Sequence, residues 1–143
     1  MGDLLKGIVA VLIGKAWLGT QAGEIVGAFG AILGHNFPLY FGFKGGKGIA
    51  CSTAVLLLNV PLEGAISAAI AISVIYLSRY VSLGSLSLLF SAAVILPFTR
   101  GLWPVGACAL LLFIFAVYRH RTNIQRLMRG TESKFTGKKH DNT

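Results

Sequence analysis

The chain alternates apolar runs with short polar or glycine-rich breaks, and the runs are long enough to predict helices that cross a membrane. Leu4 to Leu18 is apolar except for Lys6 and Lys15, with Asp3 ahead of it to cap a first turn. At about 15 residues it barely meets the roughly 20 that a span needs. Gly19 to Gly23 predicts a turn. Ile25 to Leu33 is apolar again, too short to cross alone, and leads straight into Gly34-His35-Asn36-Phe37-Pro38-Leu39-Tyr40-Phe41-Gly42-Phe43-Lys44-Gly45-Gly46-Lys47-Gly48. A half-length run ending in such a stretch predicts a broken or re-entrant helix, which survives at membrane depth only where protein or water covers its backbone. Ile49 to Val60 resumes as helix, and Asn59-Val60-Pro61 predicts a turn. Leu62 to Leu77 is the next span, followed by a polar break at Arg79-Tyr80-Val81-Ser82. Leu83 to Leu96 comes next, ending at Pro97 and Arg100. Leu102 to Tyr118 is the cleanest span, with Trp103 and Tyr118 at its two ends. The fold class is therefore an all-α integral membrane protein, a polytopic helical bundle in one domain over residues 1–143, with a basic tail over 119–143.

Composition agrees with this reading. Of 143 residues, 55% are hydrophobic and only 13% charged, about half the charged share of soluble domains; mean hydropathy is +0.72. The formal charge of +8 is uneven. From Arg119 onward the basic residues are Arg119, Arg121, Arg126, Arg129, Lys134, Lys138 and Lys139, opposed by Glu132 and Asp141. A tail of this kind marks the cytoplasmic side and can hold anionic headgroups. No aromatic stacking set accompanies it, so nucleic acid is not expected as a partner. Cys51 and Cys108 stand alone in apolar sequence, without metal spacing, and read as small buried hydrophobes. No cleavable signal peptide is recognised.

Counting sides back from a cytoplasmic tail puts Arg100 outside, Arg79 inside, Asn59-Pro61 outside and the Lys44–Lys47 loop inside. Loop, Arg79–Ser82 break and tail thus share one face. Within the loop, three glycines and two lysines fall between Lys44 and Gly48. Glycine backbones reach φ > 0 and let successive N–H groups converge on one anion, while lysines add point charge. A helix beginning after Gly48 would add its own unpaired N–H groups. The loop lacks the spacing of a Walker motif, since Phe41 and Gly48 stand where a glycine and a Ser or Thr are needed. Two readings stay open: a phosphate cradle, or a positively charged turn. In the tail, Arg119, Asn123 and Arg126 fall on one side of a helix, with His120 one turn before Asn123. A cation, an imidazole and an amide suit a polyol phosphate; a solvated juxtamembrane helix is the plainer alternative. No Ser-His-Asp set is present, and no His is followed five residues later by Asp. His35 and His120 are the candidate bases, though neither is evident as one.

These motifs resemble those of the bacterial PlsY acyltransferases. Gly34-His35-x-x-Pro38 with Phe43-Lys44-Gly45-Gly46-Lys47-Gly48-Ile49-Ala50 is similar to that family's second motif. Arg119-His120-x-x-Asn123-Ile124-x-Arg126-Leu127-x-x-Gly130-x-Glu132 is similar to its third. Arg79-Tyr80-Val81-Ser82-Leu83 resembles the segment between them, and Asp3-Leu4-Leu5-Lys6-Gly7 the head of its second helix. The resemblance implies transfer of a fatty acyl group from acyl-phosphate to glycerol 3-phosphate, giving lysophosphatidic acid and phosphate. It implies no cofactor and no metal, and a place in the bacterial inner membrane among membrane lipids. The chain is expected to be monomeric. The Lys44-Gly45-Gly46-Lys47-Gly48 loop would hold the acyl-phosphate, and Lys47, Ser82, His120 and Asn123 the glycerol 3-phosphate, with His35 and Arg119 as further candidates. Catalysis would be substrate-assisted, a phosphate oxygen taking the hydroxyl proton.

The family's first helix and its Ser-Gly-Asn-rich first motif have no counterpart in this chain, and Cys51-Ser52-Thr53 departs from the usual end of motif two. The 143-residue chain is accordingly expected to be weakly active or inactive alone. A non-catalytic member of the same family is the competing reading. A transporter ranks last, because Glu63, at an end, is the one charge within the last three runs.

Overall fold

A computed structural model of the chain describes residues 48–135 together with residues 9, 12, 13 and 16 of the preceding stretch. Every regular element of the described part is a helix. Its elements are α1 (Ile49–Asn59), α2 (Pro61–Ser78), α3 (Val81–Thr99), a kinked π-type link (Leu102–Gly106), α4 (Ala107–Arg119) and α5 (Arg121–Met128). The expected broken or re-entrant helix before Gly48 lies outside the described residues, as do the run Ile25–Leu33 and the Lys44–Lys47 loop.

Three helical stretches, Pro61–Ser78, Val81–Thr99 and Leu102–Arg119, are long and apolar enough to cross a membrane. Their outward faces are oily: Ile72, Leu77, Val94 and Ile114 are all exposed. In water such a surface would aggregate, and in lipid it is the required solvent. Inward, Leu56, Val60, Ala71, Leu88, Leu89, Ala92, Leu96, Ala109 and Ala116 form one buried cluster. Small residues on the helix faces let the backbones approach, as membrane helices need when no hydrophobic force drives them together.

Cross-contacts fix the register. Glu63 meets Arg100, and Gly84 packs against Ile75 and the Ala71 carbonyl, so α2 and α3 run antiparallel. Gly106 packs against Pro97, and Phe90 against Phe113, so α3 and the α4 segment run antiparallel too. One end of the bundle therefore collects Glu63, Arg100 and Trp103. The other collects Arg79–Ser82 and the Arg119–Asn123 turn. At the first end, Arg100 Nε and Nη2 donate to the two Glu63 carboxylate oxygens at 2.7 and 3.1 Å. The bidentate pair ties the start of α2 to the end of α3.

Three boundaries differ from the sequence reading. Pro97 does not end its helix, which continues to Thr99. So close to the C-terminus the missing N–H removes one ladder bond only, and Arg100 N–H still reaches the Leu96 carbonyl at 2.9 Å. The polar break is confined to Arg79 and Tyr80, with Val81 and Ser82 already in the first turn of α3. Arg79 takes a left-handed conformation, φ 62°, and the Tyr80 N–H bonds the Ser78 hydroxyl, which closes α2 locally. The tail helix is not continuous with the last span. His120, at φ −95° and ψ 8°, separates α4 from α5. Cys51 is fully buried as expected, whereas Cys108 is only partly so.

Candidate functional site

Among the described residues seven polar side chains are buried, Ser52, Glu63, Ser67, Ser82, Ser91, His120 and Asn123, and three of them fall where α3 begins and α4 gives way to α5. Ser82, His120 and Asn123 are all buried. Ser82 is in the first turn of α3, His120 is the hinge after α4, and Asn123 is in the first turn of α5. The antiparallel register brings these elements to the same end.

The local chemistry of the tail explains the grouping. α5 closes with Gly130 at φ 68°. The Gly130 N–H bonds the Leu127 carbonyl at 3.1 Å, and the Thr131 N–H bonds the Arg126 carbonyl at 2.9 Å. This is a Schellman closure, and it requires a residue that tolerates positive φ. The reversal turns residues 131–135 back along α5. Glu132 is thereby returned to Asn123, whose Nδ2 donates to Oε1 at 2.6 Å, and to Arg126, whose Nε donates to Oε2 at 2.8 Å. The Ser82 hydroxyl faces the same carboxylate without forming a well-shaped hydrogen bond to it. Further on, the Phe135 N–H donates to the Arg79 carbonyl at 2.6 Å, and Lys134 lies over the Tyr80 ring. The strap is stitched to α5 at its near end, through Glu132, and to the α2–α3 break at its far end, through Lys134 and Phe135.

The amide donated by Asn123, then the Ser82 and Arg126 groups, hold the Glu132 carboxyl down at about 2, against an ordinary value of 4.5. A carboxyl lowered in the folded state stabilises it fully above the ordinary value, and that contribution is lost as pH falls through the lowered one. We expect the protection factors of residues 121–135 against hydrogen exchange to be flat from pH 7 to about 5 and to fall as pH drops from the ordinary carboxyl value of 4.5 toward about 2. Protection that changes first between pH 6 and 8 would place the titrating group elsewhere.

His120 is oriented by its own helix. Nδ1 lies 2.9 Å from the Ala116 carbonyl oxygen. A carbonyl only accepts, so Nδ1 carries the proton and Nε2 is presented on the far side of the ring. The Asn123–Glu132 bond likewise assigns the amide nitrogen to the carboxylate and turns the amide oxygen away from it. Asn123 and Arg126 do share one side of α5, as expected from their spacing. Arg119 is separated from them by the His120 hinge, half-buried at the end of α4.

Gly48 is the one residue of the glycine-lysine loop that the structure describes. It is buried and left-handed, φ 74° and ψ 2°, and it is the N-cap of α1. The freedom expected of glycine is used here. It has no side chain to bond the first amides of α1, and its carbonyl accepts from Ser52 N–H at 2.8 Å. His35, Lys44, Gly45, Gly46 and Lys47 lie outside the described residues. Beside the strap, Ile72, Ile75, Tyr76, Arg79 and Phe135 line an open groove of about 370 Å³. Sequence reasoning left Glu132 without a role and did not pair Glu63 with Arg100.

Fold and site define a polytopic α-helical membrane protein with a buried polar cluster at one end of its bundle. The family model described as glycerol-3-phosphate acyltransferase matches residues 1–130. The glycerol-3-phosphate acyltransferase of Thermoanaerobacter sp. (strain X514) is 41% identical over 132 residues, covering 92% of this chain and 66% of that protein. The protein of the same name from Halalkalibacterium halodurans is 42% identical over 149 residues, covering 96% and 69%. A crystal structure of PlsY (YgiH), described as an integral membrane glycerol 3-phosphate acyltransferase in its glycerol 3-phosphate form, superposes with a TM-score of 0.85. That pair is 33% identical, over 94% of this chain and 68% of the other. The lysophosphatidic acid form of the same protein gives a TM-score of 0.84. The chain belongs to the glycerol-3-phosphate acyltransferase family, and it spans about two thirds of the length of these relatives.

Proposed function

We propose that the protein transfers a fatty acyl group from acyl-phosphate to glycerol 3-phosphate, giving lysophosphatidic acid and inorganic phosphate. The observation that carries this reading is the convergence of Ser82, His120 and Asn123, three buried polar side chains from separate elements, at one end of an apolar bundle. In this reading His120 Nε2 and the Asn123 amide oxygen accept from glycerol hydroxyls, while Lys47 and the Gly45–Gly48 amides take phosphate charge. The hydroxyl oxygen attacks the acyl carbonyl, the bond to phosphate breaks, and the departing phosphate carries off the hydroxyl proton. The chain's own share is proximity and electrostatic stabilisation. The groove over Ile72, Ile75 and Tyr76 gives the donor's alkyl chain an apolar path beside Arg79 and the strap. Forms of the related PlsY structure with glycerol 3-phosphate and with lysophosphatidic acid support the choice of acceptor and product.

The basic excess of the tail supports a cytoplasmic placement of this end in the bacterial inner membrane. We read the chain as one membrane domain over 1–143, with the tail over 119–143 as part of its site, acting as a monomer among membrane lipids.

Phosphate release from palmitoyl-phosphate, with and without glycerol 3-phosphate, tests the proposal in lipid nanodiscs. Lys47→Ala is expected to cost about 100-fold or more in kcat/KM with little change in Tm, and Asn123→Ala to cost as much together with a lowered Tm, because it also takes a hydrogen bond from the Glu132 carboxylate. Glycerol 3-phosphate is also expected to raise the Tm of the 143-residue chain and not that of His120→Ala. Release independent of the acceptor, or a Tm unmoved by it, would overturn the assignment.

A further inference from the structure

The last span carries an outward stripe that changes chemistry within one turn. Leu111, Ile114 and Tyr118 recur at three- and four-residue spacing, and each is more than half exposed. Past the His120 hinge the spacing continues through Arg121, Gln125 and Met128, all exposed. An apolar face that meets an aromatic residue and then a cation is the profile of a surface passing from acyl chains to headgroups. Arg121 sits at the crossover. Its guanidinium lies 4.7 Å from the Tyr118 ring centroid, and Nη1 donates to the Tyr118 carbonyl at 3.2 Å. The two contacts fix the plane of a group with five donors and use one of them. Among the described residues the ion pairs go to Arg100 and Arg126, and no carboxylate pairs with Arg121 or with exposed Arg129. Arg121 stands two positions before Asn123, about 200° around the helix, which places it on the other side of α5 from the buried cluster.

We infer that the Tyr118–Arg121 corner is a docking surface for the phosphate of an anionic membrane phospholipid, whose acyl chains lie along Leu111 and Ile114, with Arg129 serving a neighbouring headgroup. Charge complementarity selects the occupant. A guanidinium with no carboxylate partner among the described residues, on a chain of formal charge +8, favours a headgroup without a cation of its own. A soluble phosphate reaches the same donors but gains nothing from the apolar stripe.

Thermal unfolding of the full chain in neutral detergent, titrated with phosphatidylglycerol or with phosphatidylcholine of the same acyl chains, tests this without any turnover. Phosphatidylglycerol is expected to raise Tm above the phosphatidylcholine value. Arg121→Gln is expected to need roughly five-fold more of it for half the rise, and Arg121→Gln with Arg129→Gln at least about ten-fold more. Tm in detergent alone should not change, and millimolar inorganic phosphate should give no rise. An equal rise with phosphatidylcholine, or with inorganic phosphate, overturns the inference. So does a phosphatidylglycerol titration that Arg121→Gln leaves in place; that single exposed substitution decides the matter if the double variant fails to fold.

Discussion

Glu132→Ala is expected to lower kcat/KM for glycerol 3-phosphate by about 100-fold or more, although Glu132 is placed behind the proposed ligands rather than among them. Its carboxylate is the shared acceptor for Asn123 and Arg126, and it faces the Ser82 hydroxyl. Removing it strips a buried amide of its acceptor, a loss of about 1–3 kcal/mol. It also releases the strap that returns across the α2–α3 break to Arg79. An amide free to rotate no longer presents its oxygen in one direction, and a displacement of about 1 Å in a positioning group is enough for a 100-fold loss. Glu132→Gln separates the two contributions. It keeps an acceptor for Asn123 and gives up the charge on Arg126, so it should lose only about 10-fold. Hydrogen exchange of residues 131–135 should rise in the alanine variant and much less in the glutamine one. Equal losses in both variants with an undisturbed strap would mean that the charge itself, not the positioning, is what the reaction uses.

Much of this architecture could be read from the chain alone, and the reasons differ from element to element. The spans α2, α3 and α4 announce themselves because lipid demands uninterrupted apolar length, a requirement local to each run. The turn at Val60 is marked by the following Pro61, which is suited to a first helical position and ill suited to a helix interior. Pro97 misleads for the same reason read the other way, since a proline in the last turn of a helix breaks little. The pairing of Glu63 with Arg100 depends on 37 residues of intervening chain folding antiparallel, and no local pattern states that register. The strap is the instructive case. Gly130 and Glu132 stand in plain view within the tail motif, but only the left-handed closure at Gly130 shows that the chain reverses there. Once it does, the acid that counted as one negative charge in a basic tail becomes the shared acceptor for Asn123 and Arg126. Ser82 is a candidate ligand by resemblance alone, whereas His120 and Asn123 are also legible from their residue types and spacing in the tail. Their burial at one end has a physical cause in the helix register.

Gly64→Ala is expected to destabilise the fold by about 2–3 kcal/mol, against the usual sign for a glycine in a helix. In an open helical position the same change gains up to about 1 kcal/mol, because alanine is the better helix former. Here a Cβ would stand 2.8 Å from the Leu56 carbonyl carbon, 2.9 Å from its oxygen and 3.1 Å from the Leu57 nitrogen. All three are backbone atoms of α1, so no side chain can rotate aside and the two helices must part. Parting them withdraws Leu56 and Val60 from the buried cluster that also holds Leu88, Leu89 and Ala92. It also moves α1 as a body, and with it Gly48, the end of the glycine-lysine loop. Unfolding in detergent should therefore shift early, and affinity for the phosphorylated donor should weaken with it. Gly84→Ala provides the comparison. Its Cβ would meet the Ile75 side chain as well as the Ala71 carbonyl at 2.9 Å. Trimming Ile75 to Ala should restore part of the stability lost at Gly84, and no trimming of a single side chain should do so at Gly64. A Gly64→Ala variant as stable as the original would mean that α1 rests on α2 with more room than these distances allow, and that the placement of Gly48 does not depend on this crossing.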